Sequence, residues 1–226
     1  MLIEGIVHHV YCGDMLNAGQ SMKIYIARHG QDEDNASGIL NGHRNMPLTG
    51  QGRRQAEEIA HKIRSAQLQF DAILSSPLLR AWDTAGTIAR AIDGPTPRRE
   101  PLLIERDFGV MSGERTSDIA VLCAPDIMYT DTITYFLNPE GGESFPVVLK
   151  RAEKMLALLR GDFSSDDSIL LVCHGDIGKM LYAAYYGLEW RDVLQQFHFG
   201  NSELILLSDT SSAEEAHVFT IDQHNL

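Results

Sequence analysis

Two apolar segments of the chain each end in a histidine followed by a glycine. The first is Ile24-Tyr25-Ile26-Ala27-Arg28-His29-Gly30, and the second, much later, is Ile169-Leu170-Leu171-Val172-Cys173-His174-Gly175. Short apolar runs rich in β-branched residues indicate buried strands, and a glycine after such a run marks a turn. Ligands of open α/β folds bind at the carboxyl ends of the strands. The two segments therefore predict that His29 and His174 meet at one edge of a sheet.

Strand and helix patterns alternate along the rest of the chain. Amphipathic helices are predicted after Thr49, from Pro77 and after Ser144, each with apolar residues at helical spacing. Further strands are predicted over residues 70–74, 100–104, 168–173, 201–207 and 216–221. This alternation predicts an α/β fold, a three-layer sandwich with a mainly parallel central sheet and helices on both faces.

The chain has 226 residues, of which 44% are hydrophobic and 22% charged, and this composition suits one large domain. We predict a single domain over residues 22–226. Residues 1–21 precede the first strand and are predicted to be an N-terminal extension of uncertain structure. Residues 116–140 mix apolar and polar positions without a clean period, so we predict an insertion there that covers the site.

The formal net charge of −12 disfavours a general binder of nucleic acids or membrane surfaces. An anionic substrate must therefore be attracted by a local cluster of cations. Three cysteines without a repeated spacing predict no disulfide framework, and they favour a reducing, cytoplasmic compartment. No apolar run predicts a membrane span, and the first residues do not resemble a secretory signal. His8-His9 and Cys12 have no second ligand pair nearby, so no metal site is predicted. The sequence leaves the oligomeric state open.

Cationic and acid–base side chains follow several of the predicted strands. Arg28 and His29 end the first strand, and His174 ends another. Arg80 lies in the first turn of a helix, and Glu105 follows the strand predicted over residues 100–104. Two guanidinium groups and two imidazoles together suit an oxyanion, because arginine forks match phosphate oxygens and helix N-termini add N–H donors. The chain has neither a P-loop motif nor a dinucleotide-binding glycine motif after its first strand.

This set of side chains suits the transfer of a phosphoryl group to histidine. A neutral imidazole can attack phosphorus without an activating base, and neighbouring arginines help to keep it neutral. The leaving alkoxide needs a proton, for which Glu105 is the best candidate. A phosphate bound beside Glu105 would raise its pKa and so keep it protonated for the first step. The residues therefore predict hydrolysis of a phosphomonoester through a phosphohistidine.

The motifs resemble those of the histidine phosphatase superfamily, the phosphoglycerate mutase-like proteins. Arg28-His29-Gly30 resembles the signature of this family, and His174-Gly175 resembles its second histidine motif. Residues 41–52 resemble the family's loop and helix start, and residues 75–85 resemble its second arginine motif. Leu103 to Gly113 resembles its acid loop, and Gly142-Glu143-Ser144 matches a later motif. Several motifs in the family's order are far more specific than any one of them.

The resemblance implies a phosphoglycerate mutase-like fold, a role for His29 as the phosphorylated nucleophile, a role for Glu105 as the acid and base, and a catalytic role for His174. It also implies the set of residues that hold the substrate phosphate: Arg28, Asn35, Gly42, Arg80 and His174. It implies no metal or organic cofactor. Gln31-Asp32 stands where the family usually has Glu-Thr or Glu-Ser, and Asn45 stands where Asp is common. These departures are expected to affect substrate contacts more than the core chemistry.

Two other functions stay open. The first is a phosphoglycerate mutase, but the acid loop, Asp107 to Glu114, lacks the Tyr-Gly and the later lysine that mark the mutases it resembles, and no paired arginines follow. The second is a non-catalytic phosphate-binding or regulatory module. Glu105 argues against the second function, because binding alone needs no proton donor. The favoured prediction is a phosphatase of the same family that acts on a small phosphorylated metabolite.

Overall fold

A computed structural model describes residues 22–210 and 212–219. The predicted N-terminal extension, with His8-His9 and Cys12, lies outside the described residues. The strands in chain order are β1 (Lys23–Arg28), β2 (Ala72–Ser75), β3 (Arg98–Arg99), β4 (Ile127–Tyr129), β5 (Thr134–Phe136), β6 (Ser168–Cys173), β7 (Leu204–Leu207) and β8 (His217–Phe219). The helices are α1 (Glu33–Ser37), α2 (Gly50–Ser65), α3 (Leu79–Ala91), α4 (Ile119–Leu122), α5 (Phe145–Asp162), α6 (Gly175–Tyr186) and α7 (Trp190–Gln196).

Six strands form the central sheet in the order β3-β2-β6-β1-β7-β8. The first four of these are parallel to one another, whereas β7 is antiparallel to β1 and β8 is antiparallel to β7. Strand β6 lies between β2 and β1 in the middle of the sheet. The apolar run over residues 168–173 indicates this position, because a strand that is covered on both faces is apolar at every residue instead of alternating between apolar and polar. The predicted α/β class with a mainly parallel sheet is confirmed.

The alternating residues of the central strands divide the core into two clusters. Ile24 and Ile26 of β1 point to the face covered by α5 and α6, whereas Tyr25 and Ala27 point to the face covered by α2 and α3. Strand β6 alternates in the same way. Since successive side chains of a strand point to opposite faces, an entirely apolar strand needs helices on both sides. The sheet is therefore the middle layer of a three-layer sandwich.

Strand β2 shifts slightly from the predicted residues 70–74 to Ala72–Ser75, and two further strands differ more from their predicted bounds. The segment predicted as a strand over residues 100–104 begins earlier, as the two-residue β3, and continues as a 3₁₀ turn over Pro101–Leu103. Pro101 has no N–H to donate to a ladder, and the Glu100 side chain instead accepts the N–H of Leu102 at 2.9 Å. The strand predicted from residue 201 begins at Leu204, because residues 201–202 form a turn in which Ser202 has a positive φ of 54°.

Residues 116–140, the predicted insertion, hold a 3₁₀ turn, α4 and the hairpin of β4 and β5. Ile119 of α4 and Phe136 of β5 pack with Phe108 and Met111 in a third, small core cluster. This cluster joins the segment to the loop that follows Glu105. Residues of this segment also line one side of a cleft that borders Glu105, although the description of the segment as an insertion that covers the site stays a prediction.

Two features sought in the described part of the chain are absent there. No helix among these residues is both long and apolar enough to cross a bilayer. Within the same residues, no group of three or more His, Cys, Asp and Glu side chains is arranged to hold a metal ion.

Candidate active site

The register of the parallel strands brings their carboxyl ends together. Arg28 of β1 lies opposite Cys173 of β6, so the next residues, His29 and His174, leave the sheet side by side. Their ring centroids are 4.9 Å apart. The turn after His29 packs closely on the start of α2, where a Cβ atom on Gly30 would lie 2.2 Å from a backbone oxygen. Only glycine fits there, which explains the glycine that ends the first motif.

His29 has one ring nitrogen fixed and the other available. Its Nδ1 lies 2.6 Å from the carbonyl oxygen of Gly30, which can only accept, so Nδ1 carries the proton. The Nε2 atom therefore holds a lone pair, and it accepts a hydrogen bond from Arg80 Nε at 3.2 Å. Burial, together with the Arg80 and Arg28 guanidinium groups, holds the pKa of His29 well below the ordinary histidine value. A neutral imidazole whose Nε2 carries no proton is the form that attacks phosphorus.

His174 is held in the opposite tautomer. Its Nδ1 accepts from Arg80 Nε at 3.1 Å, so its Nε2 carries the proton and donates to the Ser76 hydroxyl at 2.7 Å. The ring is fully buried, and burial and Arg80 lower its pKa well below the ordinary value. His174 therefore lies beside His29 as a fixed, neutral imidazole. A bound phosphate dianion would raise the pKa of His174 and so favour its protonated form.

Arg80, in the first turn of α3, is the fully buried centre of the site. Its Nη1 and Nη2 atoms donate to the carbonyl oxygens of Arg44 and Gly42 at 2.7 and 2.8 Å. Its Nε atom faces both histidines and lies 3.2 Å from a carboxylate oxygen of Asp32. The carbonyl of Gly42 thus contributes to the site by fixing Arg80, whereas direct contact of Gly42 with phosphate stays a prediction.

Arg28 has a different set of contacts. Its Nη1 donates to the carbonyl oxygen of Phe199 at 2.7 Å. Its Nε is buried and has no hydrogen-bond partner among the described residues. A buried donor without a partner costs free energy, so a ligand oxygen at this position would be stabilised. Asn35, predicted to help hold the phosphate, lies in α1, and its side chain accepts from Asn201 Nδ2 at 3.4 Å.

Glu105 lies at the N-terminus of α6, the helix that begins directly after His174. Its carboxyl oxygens accept backbone N–H bonds from Arg106 at 2.8 Å, Ile177 at 3.1 Å and Asp176 at 3.2 Å. Burial, and then the nearby Asp176 carboxylate, raise the pKa of Glu105, and the N–H bonds act against this rise. Burial dominates because the side chain is 6% exposed. A raised pKa is what a general acid near neutral pH requires.

Two arginines hold the acid loop in place. Arg106 forms an ion pair with Asp176 at 2.8 Å and lies over the rings of Phe136 and Phe145. Arg151 of α5 donates to the carbonyl oxygens of Leu102, Ile104 and Glu105, and it pairs with Glu143 at 2.7 Å. The glutamate of the Gly-Glu-Ser motif thus acts through Arg151 on the backbone that carries Glu105.

A cleft of about 520 Å³ borders the site. Arg28, Asn35 and Glu105 line it on the catalytic side, and Tyr135 and Lys179 line it farther out. Its size suits a small phosphorylated molecule. His29, Arg28, Arg80, Glu105 and His174 are therefore brought to one place, as the sequence predicts of residues at strand ends.

Several residues of the site lie outside the sequence prediction. Asn201 donates to the carbonyl oxygen of His29 at 3.0 Å, and Lys179 lies in a helix that predicts only burial. Asp32 stands where the family usually has another residue, and this departure is expected to affect substrate contacts. In the structure, Asp32 contacts Arg80 and Asn41. The sequence marks Asp32 only through its departure from the family motif. It contains no feature that marks Asn201 or Lys179 as part of the site.

The sequence and the fold are similar to those of known phosphoryl-transfer proteins. A 2,3-bisphosphoglycerate-dependent phosphoglycerate mutase from Rhizobium etli is 31% identical over 179 residues, and the match covers 76% of this chain and 83% of that protein. The mycobacterial glucosyl-3-phosphoglycerate phosphatase solved with VO3 aligns with a TM-score of 0.71 and 27% identity, over 83% of this chain and 93% of that one. A phosphoserine phosphatase from Entamoeba histolytica, solved with 3-phosphoglyceric acid, aligns with a TM-score of 0.66 and 26% identity, over 82% and 89%.

The family itself follows from the match of residues 24–221. That range contains both His-Gly turns and the acid loop, and it spans the whole central sheet apart from the first residue of β1. By this match and by its fold, the chain belongs to the histidine phosphatase superfamily (branch 1).

Proposed function

We propose that the protein is a metal-independent phosphomonoester hydrolase that acts on a small phosphorylated metabolite through a phosphohistidine at His29. The observation that carries this proposal is the unprotonated Nε2 of His29, which accepts a hydrogen bond from Arg80 in a ring that burial and the charges of Arg80 and Arg28 keep neutral. Arg28, with its unpartnered Nε, would grip the phosphate, and Arg80 Nε would stabilise the charge that develops beside His29. These guanidinium groups supply the positive charge that a metal ion provides in other phosphatases.

The first half-reaction transfers the phosphoryl group to the protein. His29 Nε2 attacks phosphorus while the bond from phosphorus to the ester oxygen breaks, and Glu105 gives its proton to that oxygen to release an alcohol. The phosphorylated imidazole carries positive charge, which the Gly30 carbonyl stabilises by accepting from Nδ1–H. The second half-reaction reverses the role of Glu105. Its carboxylate takes a proton from water, the water oxygen attacks phosphorus, and the electron pair of the P–N bond returns to Nε2.

A phosphoglycerate mutase is the second candidate, because the curated relative with 31% identity is one. Neighbouring solved structures are phosphatases, and the acid loop lacks the mutase residues described above. The two functions separate in one assay with 3-phosphoglycerate and catalytic 2,3-bisphosphoglycerate. Formation of 2-phosphoglycerate without free phosphate would overturn the phosphatase proposal.

The test of the nucleophile combines kinetics with trapping of the intermediate. Purified protein is screened for phosphate release from a panel of phosphomonoesters that includes p-nitrophenyl phosphate. We expect His29→Ala to abolish release and to remove an acid-labile, alkali-stable phosphoenzyme. His61→Ala is the matched control, because His61 is exposed on α2. Substantial hydrolysis by His29→Ala would refute the assignment, and phosphate binding without turnover by the wild type would favour a non-catalytic module.

Location in the cytoplasm also stays a prediction. It is supported by the free thiols of Cys123 and Cys173, since reducing compartments keep such thiols unpaired.

A further inference from the structure

Lys179 is a buried cation that the proposed reaction does not use. It lies on α6, is 3% exposed and lines the main cleft. Its ammonium group donates to the hydroxyl of Tyr135 from the β5 hairpin, and among the described residues it forms no ion pair. Buried lysines are rare unless they are paired, because an unpaired charge loses its hydration without compensation. An anion at Lys179 would supply that compensation.

The position of Lys179 relates it directly to the phosphate site. α6 begins at Gly175, where an added Cβ would lie 3.5 Å from Arg28 Cζ. Lys179 follows four residues later on the same helix, which is a rise of about 6 Å. Arg28, Glu105, Tyr135 and Lys179 line one continuous cleft. A molecule with its phosphate at Arg28 and His29 could therefore place a second group, a few bonds away, against Lys179.

We propose that Lys179 and Tyr135 form a subsite for a carboxylate of the substrate, which makes phosphorylated carboxylic acids the preferred substrate class. The proposal rests on the phosphatase function proposed above. Lys179 offers an ammonium with three donors, of which Tyr135 accepts one. The Tyr135 hydroxyl can accept from Lys179 and donate to the same anion. A substrate carboxylate would then take the hydrogen bonds and the charge that the described part of the chain leaves unmatched.

The surrounding charges favour a monoanion over a second phosphate. The groups that act electrostatically on Lys179 are Asp176, Arg28, Glu105 and Glu203, and burial lowers its pKa to about 8. The acids in that group already oppose further negative charge. A lysine is a point charge without the two-pronged fork that suits a phosphate dianion, whereas the arginines lie at the reacting end of the cleft.

The kinetic test compares two substrates that differ at the carboxylate. The ratio of kcat/KM for 3-phosphoglycerate to kcat/KM for glycerol 3-phosphate is measured by phosphate release. We expect Lys179→Met to lower this ratio at least fivefold and Tyr135→Phe to lower it in the same direction. Lys154→Met, an exposed position on α5, is the matched control and should leave the ratio unchanged. A smaller fall in Lys179→Met, or an equal fall in the control, overturns the proposal.

A binding test decides the subsite independently of catalysis. Calorimetric titration of the wild type compares 3-phosphonopropionate, propylphosphonate and 1,3-propanediylbisphosphonate. We expect 3-phosphonopropionate to bind at least fivefold more tightly than propylphosphonate, and Tyr135→Phe to reduce that preference even if Lys179→Met does not fold. Tightest binding of the bisphosphonate, or no preference between the first two ligands, refutes a carboxylate subsite. A wild type that shows the preference but hydrolyses no phosphomonoester would refute the proposed hydrolase and leave the subsite standing.

Discussion

Replacing Glu105 by glutamine tests the acid at the centre of the proposed mechanism. The amide keeps the shape of the side chain but has no proton to give. Its oxygen can accept the N–H bonds of Arg106 and Ile177, as Oε1 does at 2.8 and 3.1 Å. Its NH₂ group would then face the N–H of Asp176, which now donates to Oε2 at 3.2 Å. The variant therefore loses one hydrogen bond, at a cost of about 1–3 kcal/mol in the free energy of unfolding.

The kinetic effect should depend on the leaving group. General acid catalysis contributes about 10²–10⁴-fold, so we expect kcat/KM for an alkyl phosphate to fall by that factor. p-Nitrophenolate is a far weaker base than an alkoxide and needs little protonation, so kcat/KM for p-nitrophenyl phosphate should fall less than about tenfold. The difference between the two losses is at least about 1.4 kcal/mol of transition-state stabilisation.

The two kinetic constants separate the two roles of Glu105. kcat/KM reports the steps up to phosphohistidine formation, whereas kcat also includes its hydrolysis, in which Glu105 acts as the base. With p-nitrophenyl phosphate, the variant should therefore release a burst of nitrophenol and accumulate phosphoenzyme. Glu114→Gln is the control, since this glutamate is exposed in the same loop region. Equal losses of kcat/KM for alkyl and aryl substrates, or hydrolysis without a burst, would refute the acid–base role.

Two further predictions concern the histidine pair and Arg80. The lowered pKa values of His29 and His174 keep both rings neutral in the fold, whereas each ring takes up a proton in the unfolded chain below pH about 6.5. The free energy of unfolding should therefore decrease as the pH falls below about 6.5, by up to about 1.4 kcal/mol per pH unit for each ring. The raised pKa values of Glu105 and Asp32 have the opposite effect, because these carboxyls bind protons more tightly in the fold and so add stability as the pH falls. The free energy of unfolding, measured with urea between about pH 7 and 5.5, should therefore depend less steeply on pH in His174→Gln than in the wild type. In His61→Gln this dependence should be unchanged. Arg80→Lys removes the planar fork that reaches Gly42 and Arg44, so we expect kcat/KM for p-nitrophenyl phosphate to fall at least about 10²-fold. Arg90→Lys, exposed on the same helix, is its control, and equal activity of the two variants would contradict a positioning role for the fork.

The sequence predicts the sheet and the strand-end residues well because both depend on local patterns. The apolar run over residues 168–173 can be stabilised only as a strand covered on both faces, and parallel pairing then aligns His29 with His174. The strand predicted over residues 100–104 fails for an equally local reason, since Pro101 cannot join a ladder. The strand prediction for this segment rests on its apolar residues alone, whereas the absence of an N–H on Pro101 prevents the strand from pairing there.

Other features of the site depend on contacts between distant segments, which no local pattern reveals. Asn201 reaches the His29 carbonyl from the turn before β7. Tyr135 meets Lys179 only because the β4–β5 hairpin packs beside α6. In the sequence, Lys179 and Asp176 are the charged residues of a mostly apolar helix, and no local pattern gives Lys179 a partner. Its burial follows from the hairpin, whose position the sequence does not specify.

The charges of the cleft show how a chain with a net charge of −12 would bind the phosphorylated acid proposed above. Arg80 lies against Asp32, and Arg106 against Asp176, so these cations are matched within the protein. Glu105 would enter the reaction uncharged, as its raised pKa favours. Arg28 and Lys179 are then the cleft-lining cations without an ion pair among the described residues. A phosphate alone would compensate Arg28 and leave Lys179 unmatched, and for this reason a substrate with two anionic groups fits the cleft better than one with a single phosphate.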